Sequence, residues 1–244
     1  MFHILNGDAL HEQFPSSIPG RKLVARECLV DGPVTGVSLD GIFSTRLKYM
    51  SQAYQVKETD YAEQTIREFQ RMRTIPEGAT VYLWFEDDLF CQVNAWFVAS
   101  IFDAMPYDLD IYWVTPSADL QMGFGGMNGK ELQTAYKNAV PIYRDDLSTL
   151  ATMWPAYQHQ DFSSMIQLAV ALQPILPMLP AAVAAHIERF PADGSPGRPQ
   201  RVLQALQKEH GKDNFGKAFQ EFCRTEAIYG FGDLQVKRIW DSLP

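Results

Sequence analysis

Cysteine is scarce in this chain. Three residues in 244, Cys28, Cys91 and Cys223, stand far apart with no Cys-x-x-Cys spacing. That excludes a dithiol redox motif and a four-cysteine zinc ribbon, and the apolar neighbours of each predict reduced, buried thiols. The five histidines form no pair at metal-ligand spacing, and His3 reads as a half-buried strand residue. Positive charge is short: 21 Lys and Arg face 29 Asp and Glu, a formal charge of -8. A bulk electrostatic grip on nucleic acid or on an anionic membrane is not expected from this balance, which leaves room for a local basic patch. Long apolar runs are missing as well. The most apolar tract, residues 168–185, is cut by Pro174, Pro177 and Pro180, which rules it out as a spanning helix. No basic segment followed by an apolar one opens the chain, so no secretory leader is read there and a soluble, cytoplasmic protein is expected. There is no Gly-x-Ser-x-Gly elbow.

What is present is core-forming material. Apolar residues make up 46% of the chain, enough for a full core in one domain or one and a half. Short apolar runs at residues 2–5, 22–28, 80–85 and 108–115 read as strands. Helical spacing appears between them: Phe43, Leu47, Met50 and Tyr54 over residues 38–54, Ala62, Ile66 and Phe69 over 59–73, and Leu89, Val93, Trp96, Phe97, Ile101 and Ala104 after the third strand. Strand alternating with helix implies a parallel sheet. The reading is therefore an α/β protein: a Rossmann-like parallel-sheet domain over residues 1–125, with the fourth strand at the edge, followed by an all-helical part. That part divides into a helical segment packed on the sheet (126–190), a Gly/Pro/Ser linker (191–199) and three short helices (200–244). Asp233 is expected to cap the last of them.

The glycine-rich run Gly123-Phe124-Gly125-Gly126-Met127-Asn128-Gly129-Lys130 resembles a phosphate loop, but Glu131 stands where Ser or Thr is needed. A flexible connection or lid is the preferred reading.

Chemistry is expected at the carboxyl ends of the strands, where open α/β sheets bind ligands. Asn6-Gly7-Asp8 follows the first strand, Arg26-Glu27 ends the second ahead of Asp31-Gly32, and Glu86-Asp87-Asp88 follows the third. Asp8, Glu86 and Asp88 are candidate Mg²⁺ ligands, with Glu86 and Asp88 also candidate catalytic carboxylates. Arg26 is placed to clamp a phosphate or carboxylate. Asn6, Gly7, Asp8, Glu27, Asp31 and Gly32 complete a candidate ligand site, the glycines allowing close approach to the backbone. Structural roles compete with each of these. Asp8 and Asp88 both stand where helix N-caps are expected, and Arg26 has Glu27, Asp31 and Glu86 as potential ion-pair partners. Glu86 lies ahead of the cap and directly after a buried strand, where a bare carboxylate is costly.

Three segments in order carry a resemblance: His3-Ile4-Leu5-Asn6-Gly7-Asp8-Ala9-Leu10, then Arg26-Glu27 with Asp31-Gly32-Pro33, then Leu83 to Gln92. Together they are similar to the bacterial family termed domain of unknown function 1835, over roughly the first 125 residues. The tract from Arg189 to Asp233 resembles the carboxyl part of its longer members. The resemblance implies an α/β amino-terminal domain with a helical tail, and no activity or catalytic residue to carry over. Function is left between a Mg²⁺-dependent enzyme on a phosphorylated or nucleotide-like substrate, a regulatory module that binds a small anion and contacts a protein through its carboxyl-terminal helices, and an interaction protein with no pocket.

Overall fold

The computed structural model describes residues 1–116 and 123–244. Among them a five-stranded sheet runs in the order β2-β1-β3-β4-β5. The strands are β1 (Phe2–Leu5), β2 (Arg21–Val24), β3 (Thr80–Trp84), β4 (Asp110–Val114) and β5 (Val140–Ile142). The first four are mutually parallel, with Ile4 opposite both Leu23 and Leu83, and Leu83 opposite Trp113. The fold is α/β, with the sheet in the amino-terminal part and helices after it.

Successive strand side chains point to opposite faces, and here both faces are apolar. Ile4, Leu23, Leu83 and Trp113 look into the larger core. Leu5, Trp84 and Val114 look into a second one with Leu10, Phe14, Phe124 and Leu132. Helices consequently cover both faces. The smaller core lies under α1 (Asp8–Gln13) and α6 (Gly129–Lys137). The larger holds α2 (Leu39–Tyr54), α5 (Leu89–Asp103) and α7 (Arg144–Gln158). Helix α5 has an exposed face along almost none of its length: Val93, Ala95, Trp96, Val98 and Ala99 are all fully buried. It is the central pillar.

β5 departs from the sequence reading, which ended the sheet at the fourth strand. It pairs antiparallel with β4, Pro141 opposite Tyr112. Three residues with a central proline do not read as a strand. Proline lacks the N–H that a further neighbour would need, so it fits an edge. The helix expected over residues 59–73 is three pieces: α3 (Glu58–Tyr61), a π-turn (Ala62–Ile66) and α4 (Arg67–Met72).

The carboxyl-terminal helices are α8 (Phe162–Leu172), α9 (Leu179–Ile187), α10 (Arg198–His210), α11 (Phe215–Thr225) and α12 (Asp233–Ser242). Their Leu203, Phe222 and Trp240, with Tyr229 from the short 3-10 turn Ala227–Tyr229 between α11 and α12, belong to the same continuous core as Ile4 and Leu83. Residues 191–199 are braced: Arg198 spans Glu188 and Glu226, each at 2.8 Å. Gly232 occupies the N-cap of α12, and Asp233 is its first residue, without a side-chain cap bond. Cys223 is exposed, contrary to the expectation of burial, while Cys91 is buried and Cys28 half-buried. His3 is fully buried rather than half so, its Nε2 2.9 Å from Pro19 O and its Nδ1 accepting from Trp84 Nε1 at 3.1 Å.

Gly230 joins this tail to the edge of the sheet. Its φ is +63°, and a Cβ there would overlap the Asp88 carboxylate. A non-glycine residue in left-handed backbone costs about 1–2 kcal/mol, before the overlap is counted. Gly230→Ala is expected to lower unfolding stability by at least that much in a urea titration, whereas Gly216→Ala, with open space around it, is expected to leave it unchanged or raise it.

Candidate functional site

The chain passes from β1 to β2 on one side and returns to β3 on the other. The crevice between the carboxyl ends of β1 and β3 is thus the topological switch point, where doubly wound sheets bind ligands. Side chains from four segments meet around it.

Asn6 leaves β1 and binds across the crevice. Its Nδ2 donates to Cys91 Sγ at 2.8 Å, and its Oδ1 accepts from Asn94 Nδ2 at 2.8 Å. Asn94 also donates to Glu27 O at 2.7 Å and accepts from Leu29 N. One fully buried amide on α5 therefore ties the exits of β1 and β2 to the central helix. The sequence signal was an asparagine inside an otherwise apolar helix.

Arg26 does not pair with Glu27, Asp31 or Glu86. Its Nε donates to Asp8 Oδ2 at 2.6 Å and its Nη2 to Asp8 Oδ1, a two-pronged pair at the surface. Its Nη1 donates to the Gln64 carbonyl, which the π-turn presents to it. Asp8 is correspondingly not the cap of α1. Gly7, which has no side chain to cap with, is at the N-cap, and the Asp8 carboxylate in the first turn faces Arg26. That guanidinium holds the Asp8 carboxyl below its ordinary range.

Glu27 is buried and belongs to Arg46. Both Arg46 Nε and Nη2 reach it at 2.9 Å, and the Tyr61 hydroxyl donates to it. Arg46 has no exposed surface and also donates to the carbonyls of Asp31, Pro33 and Cys28. The sequence reading passed over this arginine, although it lies between Phe43 and Met50 on the apolar face of α2. Asp31 accepts from the hydroxyls of Tyr49 and Tyr54 at 2.7 and 2.5 Å. A Cβ on Gly32 would overlap the Tyr49 ring. Asp31 and Gly32 thus stand in a separate, self-satisfied turn, and Arg238 of α12 stacks over both tyrosines.

Beneath Arg26 lies a cavity of about 370 Å³. Arg26, Glu27, Asp60 and Gln64 supply polar lining, and Ala25, Met50, Val56 and Phe90 supply apolar walls beside Gly7.

The third strand's carboxylates face elsewhere. Asp88 caps α5, accepting from Cys91 N at 2.9 Å, as its position before the helix implied. Glu86 Oε1 accepts from Phe124 N at 2.8 Å, and a Cβ at Gly123, whose φ is +52°, would overlap the Glu86 carboxylate. The glycine-rich run is therefore neither a phosphate loop nor a loose lid. Phe124 is buried in the smaller core, and the first N–H groups of α6 are taken by the Asn128 side chain in a capping box with Glu131. Burial, reinforced by the neighbouring Asp88, pushes the Glu86 carboxyl up to about 7. Burial also raises Asp88 and Cys91.

Among the described residues Glu86, Asp88 and Cys91 place one ligand atom each within 4.8 Å of one another. Asp8, held by Arg26, is not in that group. Magnesium takes oxygen ligands and keeps several waters, so a set that includes a buried thiol does not suit it.

Fold and site together define the class: a doubly wound α/β protein with a cavity at the carboxyl edge of β1 and β2. Comparison of the chain with family models, curated proteins and solved structures finds no match. No described helix is long and apolar enough to cross a membrane.

Proposed function

We propose that this chain is a cytoplasmic protein that binds a small anionic, nucleotide-like ligand in the crevice at the carboxyl edge of β1 and β2. The cavity beneath Arg26 carries this reading. Its apolar walls suit a ring or short aliphatic body, and the one arginine at its lip suits a phosphate or carboxylate. Motifs that resemble the bacterial family named above supply Asn6, Gly7, Asp8, Arg26 and Glu27 to this edge, which supports a shared purpose for them.

A catalytic version, an enzyme acting on a phosphorylated substrate, would put its chemistry at Glu86, outside the cavity under Arg26. A carboxyl that titrates near 7 at a strand end is suited to general acid–base work. The non-catalytic version makes the same crevice a regulatory binding site, with a protein partner on the carboxyl-terminal helices. It is favoured by Arg26 already being held by Asp8 and by the Gln64 carbonyl, so that it orients a ligand without moving.

Thermal unfolding against nucleotides, sugar phosphates and inorganic phosphate tests the site. A ligand that binds only the folded state stabilises it by about 2.7 kcal/mol at a hundredfold excess over Kd. The expected outcome is a raised midpoint with at least one nucleotide, lost in Arg26→Ala and in Ala25→Trp, which fills the cavity. No shift with any anion would overturn the proposal. Turnover of the stabilising compound would select the catalytic version, and its absence the regulatory one.

A further inference from the structure

We propose that Glu86, Asp88 and Cys91, joined by the side-chain oxygen of Gln92, form a binding site for a thiolate-accepting transition-metal dication, zinc foremost. This site is separate from the crevice under Arg26 and does not depend on it.

The three ligand atoms already lie within 4.8 Å of one another. Each carboxylate has one oxygen fixed by a backbone N–H, Glu86 by Phe124 and Asp88 by Cys91. The Asp88 carboxylate also meets the Cys91 thiol, whose proton a metal would replace. Glycines in left-handed backbone, Gly123 and Gly230, close against the two carboxylates and fix their positions.

Gln92 points to a ligand on separate grounds. It is fully buried, and its Oε1 has no hydrogen-bond partner among the described residues. Such an atom costs about 1–3 kcal/mol unless something satisfies it. Its Nε2 donates to Glu86 O at 2.7 Å, so the carboxamide is held at this site. Asp88, Cys91 and Gln92 are spaced three and four residues apart and share a helix face.

The donor chemistry selects the metal. Two carboxylates and a carboxamide alone would suit magnesium or calcium, but the thiol moves the set toward zinc or cobalt. Asn6 Nδ2, donating to Cys91 Sγ at 2.8 Å, favours the thiolate and orients it, as partners behind metal ligands commonly do. On binding, the Cys91 S–H bond breaks, the sulfur–metal bond forms with the sulfur's electron pair, and the proton leaves to solvent. No oxidant or reductant is involved.

The full chain, stripped with a chelator and titrated with Co²⁺, tests this. One equivalent is expected to give a thiolate-to-cobalt charge-transfer band in the near ultraviolet, with proton release, and Zn²⁺ is expected to displace it. The band should vanish in Cys91→Ser and the affinity should fall at least tenfold in Glu86→Gln and Gln92→Leu. It should persist in His210→Ala, which removes the surface group Glu209, His210 and Glu221, and in Arg26→Ala. Binding without the band, a band that survives Cys91→Ser, or no binding at all would overturn the proposal. Should Cys91→Ser fail to fold, unchanged cobalt affinity in both Glu86→Gln and Gln92→Leu would overturn it equally.

Discussion

Arg46→Met is expected to destabilise the protein by about 3–5 kcal/mol, because it leaves the buried Glu27 carboxylate without its counter-charge. Arg46 and Glu27 both have fully buried side chains and meet through two bonds of 2.9 Å. Arg46 also satisfies three carbonyls in the turn from Cys28 to Pro33. The loss thus has two sources, an unpaired charge and orphaned acceptors. The double variant Arg46→Met with Glu27→Gln separates them. Neutralising the glutamate should recover the charge penalty while the carbonyls remain unsatisfied. Urea unfolding of both variants decides the matter: if the single variant loses less than about 1 kcal/mol, the pair does not anchor the exit of β2. If the double variant recovers nothing, the carbonyls rather than the charge dominate.

A second large effect concerns pH. The Glu86 carboxyl titrates at about 7 in the folded protein, against an ordinary value of 4.5. Between those values the folded state holds a proton that the unfolded state has released. Stability therefore falls as pH rises through this window, by up to about 1.4 kcal/mol per unit. Summed across the window that amounts to about 3 kcal/mol. Below pH 4.5 the carboxyl is protonated in both states, above 7 it is ionised in both, and the slope disappears. Glu86→Gln, which stays neutral, is expected to lack this slope, with distant groups contributing equally to both proteins. Stability measured at half-unit steps from pH 4.5 to 7.5, with chelator present, should show the difference between the two proteins growing steadily toward pH 7. A constant difference would mean that Glu86 titrates in its ordinary range.

The sheet and most helices were legible because burial leaves a periodic trace. β1 and β3 are continuous apolar runs, as parallel strands covered on both faces must be. Helix α5 announced itself by length and by Asp88 at its start. β5 was not legible, since three residues around Pro141 carry no period. At the site, the residues that leave the strands were found, but their pairing was not. Arg26 had several acids within reach along the sequence. Only the π-turn, which sets the Gln64 carbonyl beside it, and the first turn of α1, which brings Asp8, decide its partners. Arg46 and Asn94 were missed for one reason: each is a polar residue on an apolar helix face, visible in the sequence as a break in a pattern. What such a break pairs with depends on a chain segment far away.

The contact of Gly230 with Asp88 also bears on how the molecule is made. Ribosomal synthesis delivers β1, β2 and β3 early, at about 5–20 residues per second. The sheet's carboxyl edge, with its buried acids, has no cover over Asp88 until Gly230, in the turn that follows Ala227–Tyr229, has emerged and docked. A nascent chain stalled ahead of residue 230 therefore lacks both the glycine that covers Asp88 and the last part of the shared core. That makes the edge the region where chaperone contact and premature proteolysis should concentrate during synthesis.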